Sequence, residues 1–368
     1  MRELSFEDGL IVNTPSSLSE RPLMVNANAE FAFNDLSRFV DYLPNDSRVD
    51  KFREWSATAF VSGEIVNGRA SYRGELTRNA LIVGKAQFEA SADFDNAEVD
   101  YGFERDWPAA KGGRGKATIR NQLLTITPDA INLNGDAITD GQLHIARLFE
   151  PTRALMIQGK TQTSLRKGMD FLFKGPLIRP ENRPETLPVE VTGGSVDIDI
   201  AVEIPLDDLE STTVLGNAVV RNGKGVLPEG VPLTNVNGSV SFTERSVVSD
   251  NVRARFLGGD TYGRLVTVEE AQPPVMKLIA RGKAEVTALE PWVGEHILTW
   301  LDGAADWQGE LLIDGPSLQI NGQSELSGVT VSAPAPLAKA ADESANFALS
   351  MTLGDADVHH LGSWTVQN

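Results

Sequence analysis

The densest group of potential metal ligands in the 368-residue sequence is the stretch GDADVHHLG near its end, with Asp355, Asp357, His359 and His360 close together. Consecutive strand residues point to opposite faces, so His359 and His360 reach one ion only from a loop, and the stretch reads as a solvated turn. Asp197/Asp199 and Asp93/Asp95 are carboxylate pairs on one strand face, the raw material of glycoside hydrolysis. That chemistry also needs a cleft and one carboxyl of raised pKa, and the pairs read as the polar side of amphipathic strands. Gly112, Gly113 and Gly115 among Lys111, Arg114 and Lys116 could cradle a phosphate, but read as a loop with a small basic spot. Of the remaining histidines, His144 takes a polar-facing strand position in QLHIA and His296 falls in a helical stretch. The sequence contains no GxSxG elbow, no GxGxxG, no GxxxxGK[ST] loop and no HExxH. With no cysteine it has no thiolate nucleophile, thiolate zinc site or disulfide. No catalytic residue, metal or cofactor is assigned, and the chain reads as a non-enzyme.

The elements that would position any site are mostly strands. Ala86, Phe88, Ala90, Ala92 and Phe94 alternate with Gln87, Glu89, Ser91, Asp93 and Asp95, and after a short turn at Asn96 the pattern resumes with Ala97, Val99, Tyr101 and Phe103. Val196 to Ile204 and Phe347 to Leu353 alternate as cleanly. Period two with one apolar and one polar face predicts antiparallel sheet wetted on one side, in roughly twenty strands separated by Gly, Asn, Asp and Pro turns. Helical spacing appears in three places only. These are near 35–59 (stopped by Pro44 and restarted with Asp46 as a cap), 164–173, and 287–301 around Trp292 and Trp300.

Their spacing is regular. Val40, Leu165 and Ala288 recur at about 123 to 125 residues, and Gly115 and Gly238 are each followed twenty positions on by another glycine, Gly135 and Gly258. The expectation is one continuous repetitive body over 1–368, with approximate units 1–115, 116–238 and 239–368, each a run of strands punctuated by a short helical plug.

Composition narrows the partners. Thirty-three Lys+Arg against 51 Asp+Glu leave a net charge of −18, which repels phosphate backbones and anionic surfaces, so nucleic-acid binding is excluded. The start has no signal-peptide pattern, and the longest apolar-rich stretch, Leu289 to Leu301, is broken by Pro291, Glu295 and His296 and is too short for a bilayer crossing. The apolar strand faces leave two readings open. Sheets close on each other as dry sandwiches, or one sheet curls into a trough whose lining stays open for an apolar ligand. Alanine at inward positions such as Ala86, Ala90, Ala92 and Ala97 leaves room for something else and leans towards the trough.

Several segments, in fixed order over nearly the whole chain, carry a resemblance to a known family. YLPNDSRVDKFREW followed by GEIVNGRASYRGEL spans Tyr42 to Leu76, and VDYGFERDWP spans Val99 to Pro108. VNGSVSF starts at Val236 and is followed by ARFLGG, WLDGAADWQGEL runs from Trp300 to Leu311, and SELSGVTVSAPAPLAK runs from Ser324 to Lys339. Together these resemble the YhdP branch of the AsmA-like family, which is similar to bridge-like lipid transfer proteins. The aromatic–proline element the family often carries after RGEL is replaced here by Thr77 to Leu81. The resemblance implies an elongated, mostly antiparallel β-groove with a few short helices. It implies a segment of a periplasm-spanning conduit that moves phospholipids between inner and outer membranes, with protein partners at the ends of the full-length chain. It also implies an interior fragment of a protein anchored in the inner membrane by an N-terminal helix outside this chain. Alternation selects the groove lining that would hold acyl chains: Phe88, Ala90, Phe94, Val99, Tyr101, Ile119, Ile131, Leu133, Ile198, Ile200, Val202, Val240, Phe242, Ala254 and Phe256. The competing readings are a non-transporting structural or assembly factor for outer-membrane biogenesis and a carbohydrate-active enzyme on a β-scaffold.

Overall fold

A computed structural model describes residues 11–13, 22–42, 50–77, 79–101, 108–150, 152–174, 189–227, 230–268, 275–314, 317–353 and 359–365. The fold is mainly β and antiparallel, with nineteen strands among the described residues. The chain divides into two compact units, Met1–Gln162 with Asp199–Val214, and Thr163–Ile198 with Leu215–Asn368.

In the first unit β1 (Ile11–Asn13), β2 (Met24–Phe33), β3 (Phe60–Glu75), β4 (Ala86–Val99), β5 (Ala110–Arg120), β6 (Leu123–Leu133), β7 (Asp136–Ile145) and β8 (Ala154–Ser164) form a meander. Each strand pairs antiparallel with the next. β9 (Glu190–Pro205) contributes residues to both units. The second unit continues with β10 (Thr213–Val226), β11 (Pro232–Thr243), β12 (Val247–Phe256), β13 (Gly258–Val268), β14 (Val275–Glu285), β15 (Leu301–Asp314) and β16 (Ser317–Ser324), again neighbour on neighbour. β16 pairs onward with β18 (Asn346–Leu353) and β18 with β19 (His359–Thr365), whereas the short β17 (Val329–Val331) pairs with the start of β15.

Local chemistry explains the joints. Asn134–Gly135 and Leu257–Gly258 both hold two successive positive φ values, 52° and 85° in one and 52° and 79° in the other. This is the twist a two-residue hairpin needs. The two turns lie six strands apart, between β6 and β7 and between β12 and β13. A second recurrence sits in the strands that follow the helical segments ending at Ala59, Lys174 and Leu298. Gly63, Gly194 and Gly303 have φ of 121°, 103° and 110°, and a methyl there would stand 2.6 Å from Ala97 Cα, 2.6 Å from Gly223 Cα and 2.1 Å from Gly328 O. Only glycine lets the strand bend and the neighbouring backbone come that close.

Three expectations need correction. The break at Asn96 is a bulge inside one strand, β4, because Asn96 adopts a left-handed φ of 48° and the register against β5 slips between Phe94 and Ala97. One extra residue resets the parity and keeps Ala97 and Val99 on the face of Phe94. The glycines at 112, 113 and 115 lie in β5 and not in a loop, and Gly115 is pressed so close to β6 that a methyl would meet Thr127 O at 2.3 Å. Finally, His359 and His360 open β19, in register with Thr352 and Met351, instead of lying in a turn. Asp355 and Asp357 lie outside the described residues.

The helical plugs fall where expected, with shifted ends. The first comprises a 3-10 segment (Leu36–Tyr42) and α1 (Asp50–Ala59) between β2 and β3. Asp46 lies outside the described residues. Asp35 caps the 3-10 segment, its Oδ1 accepting from Ser37 N at 3.0 Å and Ser37 Oγ at 2.7 Å, and these bonds hold its carboxyl below the usual range. The second plug is α2 (Leu165–Lys174) between β8 and β9, where Ser164 Oγ accepts from Lys167 N at 3.3 Å. The third, between β14 and β15, is a 3-10 segment (Val286–Leu289) with α3 (Glu290–Val293) and α4 (Glu295–Leu298). Gly294 at φ 76° interrupts it, and Leu301 already belongs to β15.

Candidate functional site

Register converts alternating strands into rows that cross the sheet. In the first unit, pairing aligns Ala29, Ala70, Ala90, Ile119, Leu124 and Ile145 from β2 to β7. The adjacent row is Phe31, Gly68, Ala92, Ala117, Ile126, Leu143 and Ile157, from β2 to β8. On either side lie Ala27, Tyr72 and Phe88, and Phe33, Ile65, Phe94, Gly115 and Pro128. A further row joins Phe60, Val99, Ala110 and Leu133. The sequence-selected Phe88, Ala90, Phe94, Ile119, Val99 and Leu133 thus share one apolar face. Ile131, two positions before Leu133 on β6, is half-buried like it. Most residues of this face are half-buried rather than sealed. That is what a single layer leaves, because a second sheet packed at about 10 Å would close them off.

Around Ala70, Ala90, Ala92 and Ala117 the side chains are small, and larger ones stand about them. The ring of Phe31 lies over Gly68, where a methyl would stand 2.2 Å from it. At one end of the face the β7–β8 turn folds back so that Phe149 meets Phe88 with ring centroids 6.3 Å apart. At the other end stands the first plug, where Phe39 and Trp55 pack against Phe60 with centroids 5.6 Å and 5.5 Å away. Trp55 Nε1 donates to Tyr101 O at 2.9 Å. Tyr101 therefore sits beneath the plug, past the end of β4, and burial pushes its phenol up to about 12. Tyr72, whose hydroxyl donates to Glu75 O at 2.7 Å, is also raised by burial.

In the second unit the rows are Leu265, Leu278, Leu311 and Ile320, and beside them Val252, Gly263, Ala280, Gly309, Gly322 and Leu349. Ala254 aligns with Thr261, Gly282 and Trp307, while Phe256 packs edge-on against Trp307 at 5.7 Å. Val240 lies opposite Ala218. Two selected residues are packed away. Phe242, 3% exposed, lays its ring over Gly216, and Val202, on the part of β9 that belongs to the first unit, is likewise 3% exposed. Ile200 is half-buried. Ile198 is covered by α2, since a methyl on Gly168 would stand 3.8 Å from its Cδ1. Sequence reasoning missed Ala70, Tyr72, Ile126, Leu143, Leu265, Leu278 and Leu311. All carry the period-two signal, but only register shows that they extend the same rows.

The opposite face is polar and carries ion pairs. Arg69 meets Glu30 at 3.2 Å, Lys111 meets Glu98 at 3.0 Å, Lys116 meets Asp93 at 3.9 Å and Arg264 meets Asp250 at 2.7 Å. Of the carboxylate pairs, Asp93 faces Lys116, Asp197 holds Arg221 at 2.9 Å and Asp199 stands 4.0 Å from Lys160, while Asp95 Oδ1 accepts from Asn96 N at 3.0 Å. The hydrogen bond of Lys160 to Asp140, then the charges of Asp140 and Asp199, raise its pKa. His144 lies in register with Thr125 and Met156, in the row of Arg69 and Ser91 on the polar side. Among the described residues no group of His, Asp and Glu side chains is arranged to hold a metal ion. No helix among them is long and apolar enough to cross a membrane.

The family model described as YhdP protein matches residues 3–361 of the chain. No curated protein and no solved structure matches it.

Proposed function

From the premise that the chain belongs to the YhdP family, we propose that it is a segment of a conduit carrying phospholipids between the inner and outer membranes of a Gram-negative envelope. Acyl chains would lie along its apolar rows. In this reading the chain works in the periplasm, within a protein anchored to the inner membrane. One observation carries the proposal: apolar rows cross strand after strand on one face and stay half-open, while the other face is polar and carries ion pairs. Each methylene that leaves water for such a surface contributes about 0.8 kcal/mol. That attraction has no preferred position, so chains are held by area and remain free to slide while headgroups stay wet. Such a task needs no catalytic group.

The purified chain is expected to retain phospholipid in a native mass spectrum or after solvent extraction, and absence of lipid would sink the reading. In cells, Ile200→Lys should block phospholipid transfer while Asp199→Lys, on the polar face, should leave it intact. Equal loss from both would point instead to a scaffold that carries no lipid.

A further inference from the structure

Two polar groups on the floor of the second unit are buried without a partner. The hydroxyl Oγ1 of Thr261, a residue 8% exposed, and the indole Nε1 of Trp307 are both out of reach of water, and among the described residues neither has a hydrogen-bond partner. They stand in one row, because Ala254, Thr261, Gly282 and Trp307 face one another from β12 to β15 on the apolar side. Gly282 brings no side chain between them, and Thr261 reaches over it, so that a methyl on Gly282 would stand 2.7 Å from Thr261 Oγ1. The Trp307 ring turns Cζ3 to Gly309, 3.6 Å from where a methyl there would stand. Nε1, on the far side of the ring from Cζ3, is thereby turned away from that glycine. A buried donor with no acceptor costs free energy, and folded chains hold few of them. Two in one row call for an acceptor that the chain itself does not supply.

The adjoining row has room for the rest of such a ligand. Gly263, Ala280, Gly309 and Gly322 follow one another from β13 to β16, and a methyl on Gly322 would meet nothing within 4 Å. This is a lane of small residues beside Trp307, wide enough for an apolar chain. The ligand must therefore carry an acceptor next to hydrocarbon. A carboxylate would enter only by shedding its water, and the two rows hold no cation to offset that cost. An ester carbonyl accepts hydrogen bonds and bears no charge. We propose that Thr261 and Trp307 form a seat for the ester carbonyls of a diacyl phospholipid, with an acyl chain lying in the glycine lane. The carbonyls reach the two groups when the half-buried rings of Trp307 and Phe256 turn. The proposal rests on the conduit reading and adds a stop to it. Elsewhere on the floor lipid is held by area and slides, whereas here it pauses in one register.

The test compares diheptanoylphosphatidylcholine with its diether analogue, which lacks the carbonyls, each below its critical micelle concentration on the purified chain. The wild type should bind the ester roughly tenfold more tightly than the ether. In NMR of chain carrying isotope-labelled tryptophan, the ester should move the Trp307 indole proton downfield and the ether should not, the resonance being identified by its loss in Trp307→Phe. Thr261→Val keeps the shape without the hydroxyl, and Trp307→Phe keeps a ring beside Phe256. Each should cut the ester preference to roughly threefold and leave ether binding unchanged. Without lipid, Thr261→Val should resist denaturant as well as the wild type, because it removes a hydroxyl that has no partner. Gly322→Phe, whose ring fills the lane, should weaken both lipids roughly tenfold. Equal wild-type affinity for ester and ether, an undiminished preference in both variants, or a Trp307 shift produced equally by decanoate overturns the seat and leaves the conduit standing. If neither lipid binds, the conduit reading falls and the seat with it.

Discussion

The first plug and α2 invite direct comparison. Each is a short helical segment inserted between two antiparallel strands, and each is followed by a strand bent at a positive-φ glycine, Gly63 in one case and Gly194 in the other. They differ in what lies underneath. Trp55 packs on Phe60 and donates to the carbonyl of Tyr101, while Gly168 of α2 lies against Val196 and Leu165 against Gly223. What a plug packs against is thus set by the strand ends it meets.

The largest test of that difference is Trp55→Ala, which removes a ring from the Phe60 cluster and leaves the Tyr101 carbonyl without its donor. It should cost about 3 kcal/mol in chemical denaturation. Next, the segment beneath the third plug, which brings Val329 and Val331 to Val286, is tied together by Lys339, 9% exposed, whose Nζ donates to Leu326 O, Val329 O and Ala340 O at 2.9, 2.8 and 3.0 Å. Lys339→Met strands three carbonyls in place and should lose about 2 kcal/mol by the same measurement.

Tyr101 supplies a pH test of similar or slightly smaller size. Its folded pKa of about 12 lies above the ordinary phenol value of 10.0, so the folded state keeps a proton that the unfolded chain releases first. The contribution is complete below pH 10 and is lost as the pH rises through 12, amounting to about 2 kcal/mol. Denaturation of wild type at pH 9 and pH 12 should show this loss, and Tyr101→Phe should lack it. The smallest effect belongs to α2, where Leu172→Ala should cost less than about 1 kcal/mol because its side chain is only half-buried. If Leu172→Ala costs as much as Trp55→Ala, the difference between the two plugs fails.

Much of the fold was legible because alternation and turn chemistry are local. Asn134–Gly135 announces its hairpin, and Val196 to Ile204 shows its apolar face without reference to any neighbour. Asn96 misled, since a residue tolerant of positive φ serves a bulge as readily as a turn and only the partner strand distinguishes them. The same holds for Gly112, Gly113 and Gly115, which suggest a loop in sequence but lie in β5, where Gly113 lets β4 and Gly115 lets β6 come close and Gly112 takes a φ of 60°. Phe242, Val202 and Ile198 alternate as well as Phe88 and Ala90 do. Their covers, or the gaps they fill, come from residues distant in sequence.

By itself, then, the sequence determined which residues pair off into an apolar and a polar face, where the strands turn, where helical plugs interrupt them, and that no familiar catalytic constellation is present. These follow from side-chain period, backbone preference and residue type, all of which act within a few positions. Only the tertiary structure decided which residues line up across strands, which of them remain half-open and which are capped. Register and cover are set by hydrogen bonding and packing between segments separated by tens of residues, where no local pattern reaches.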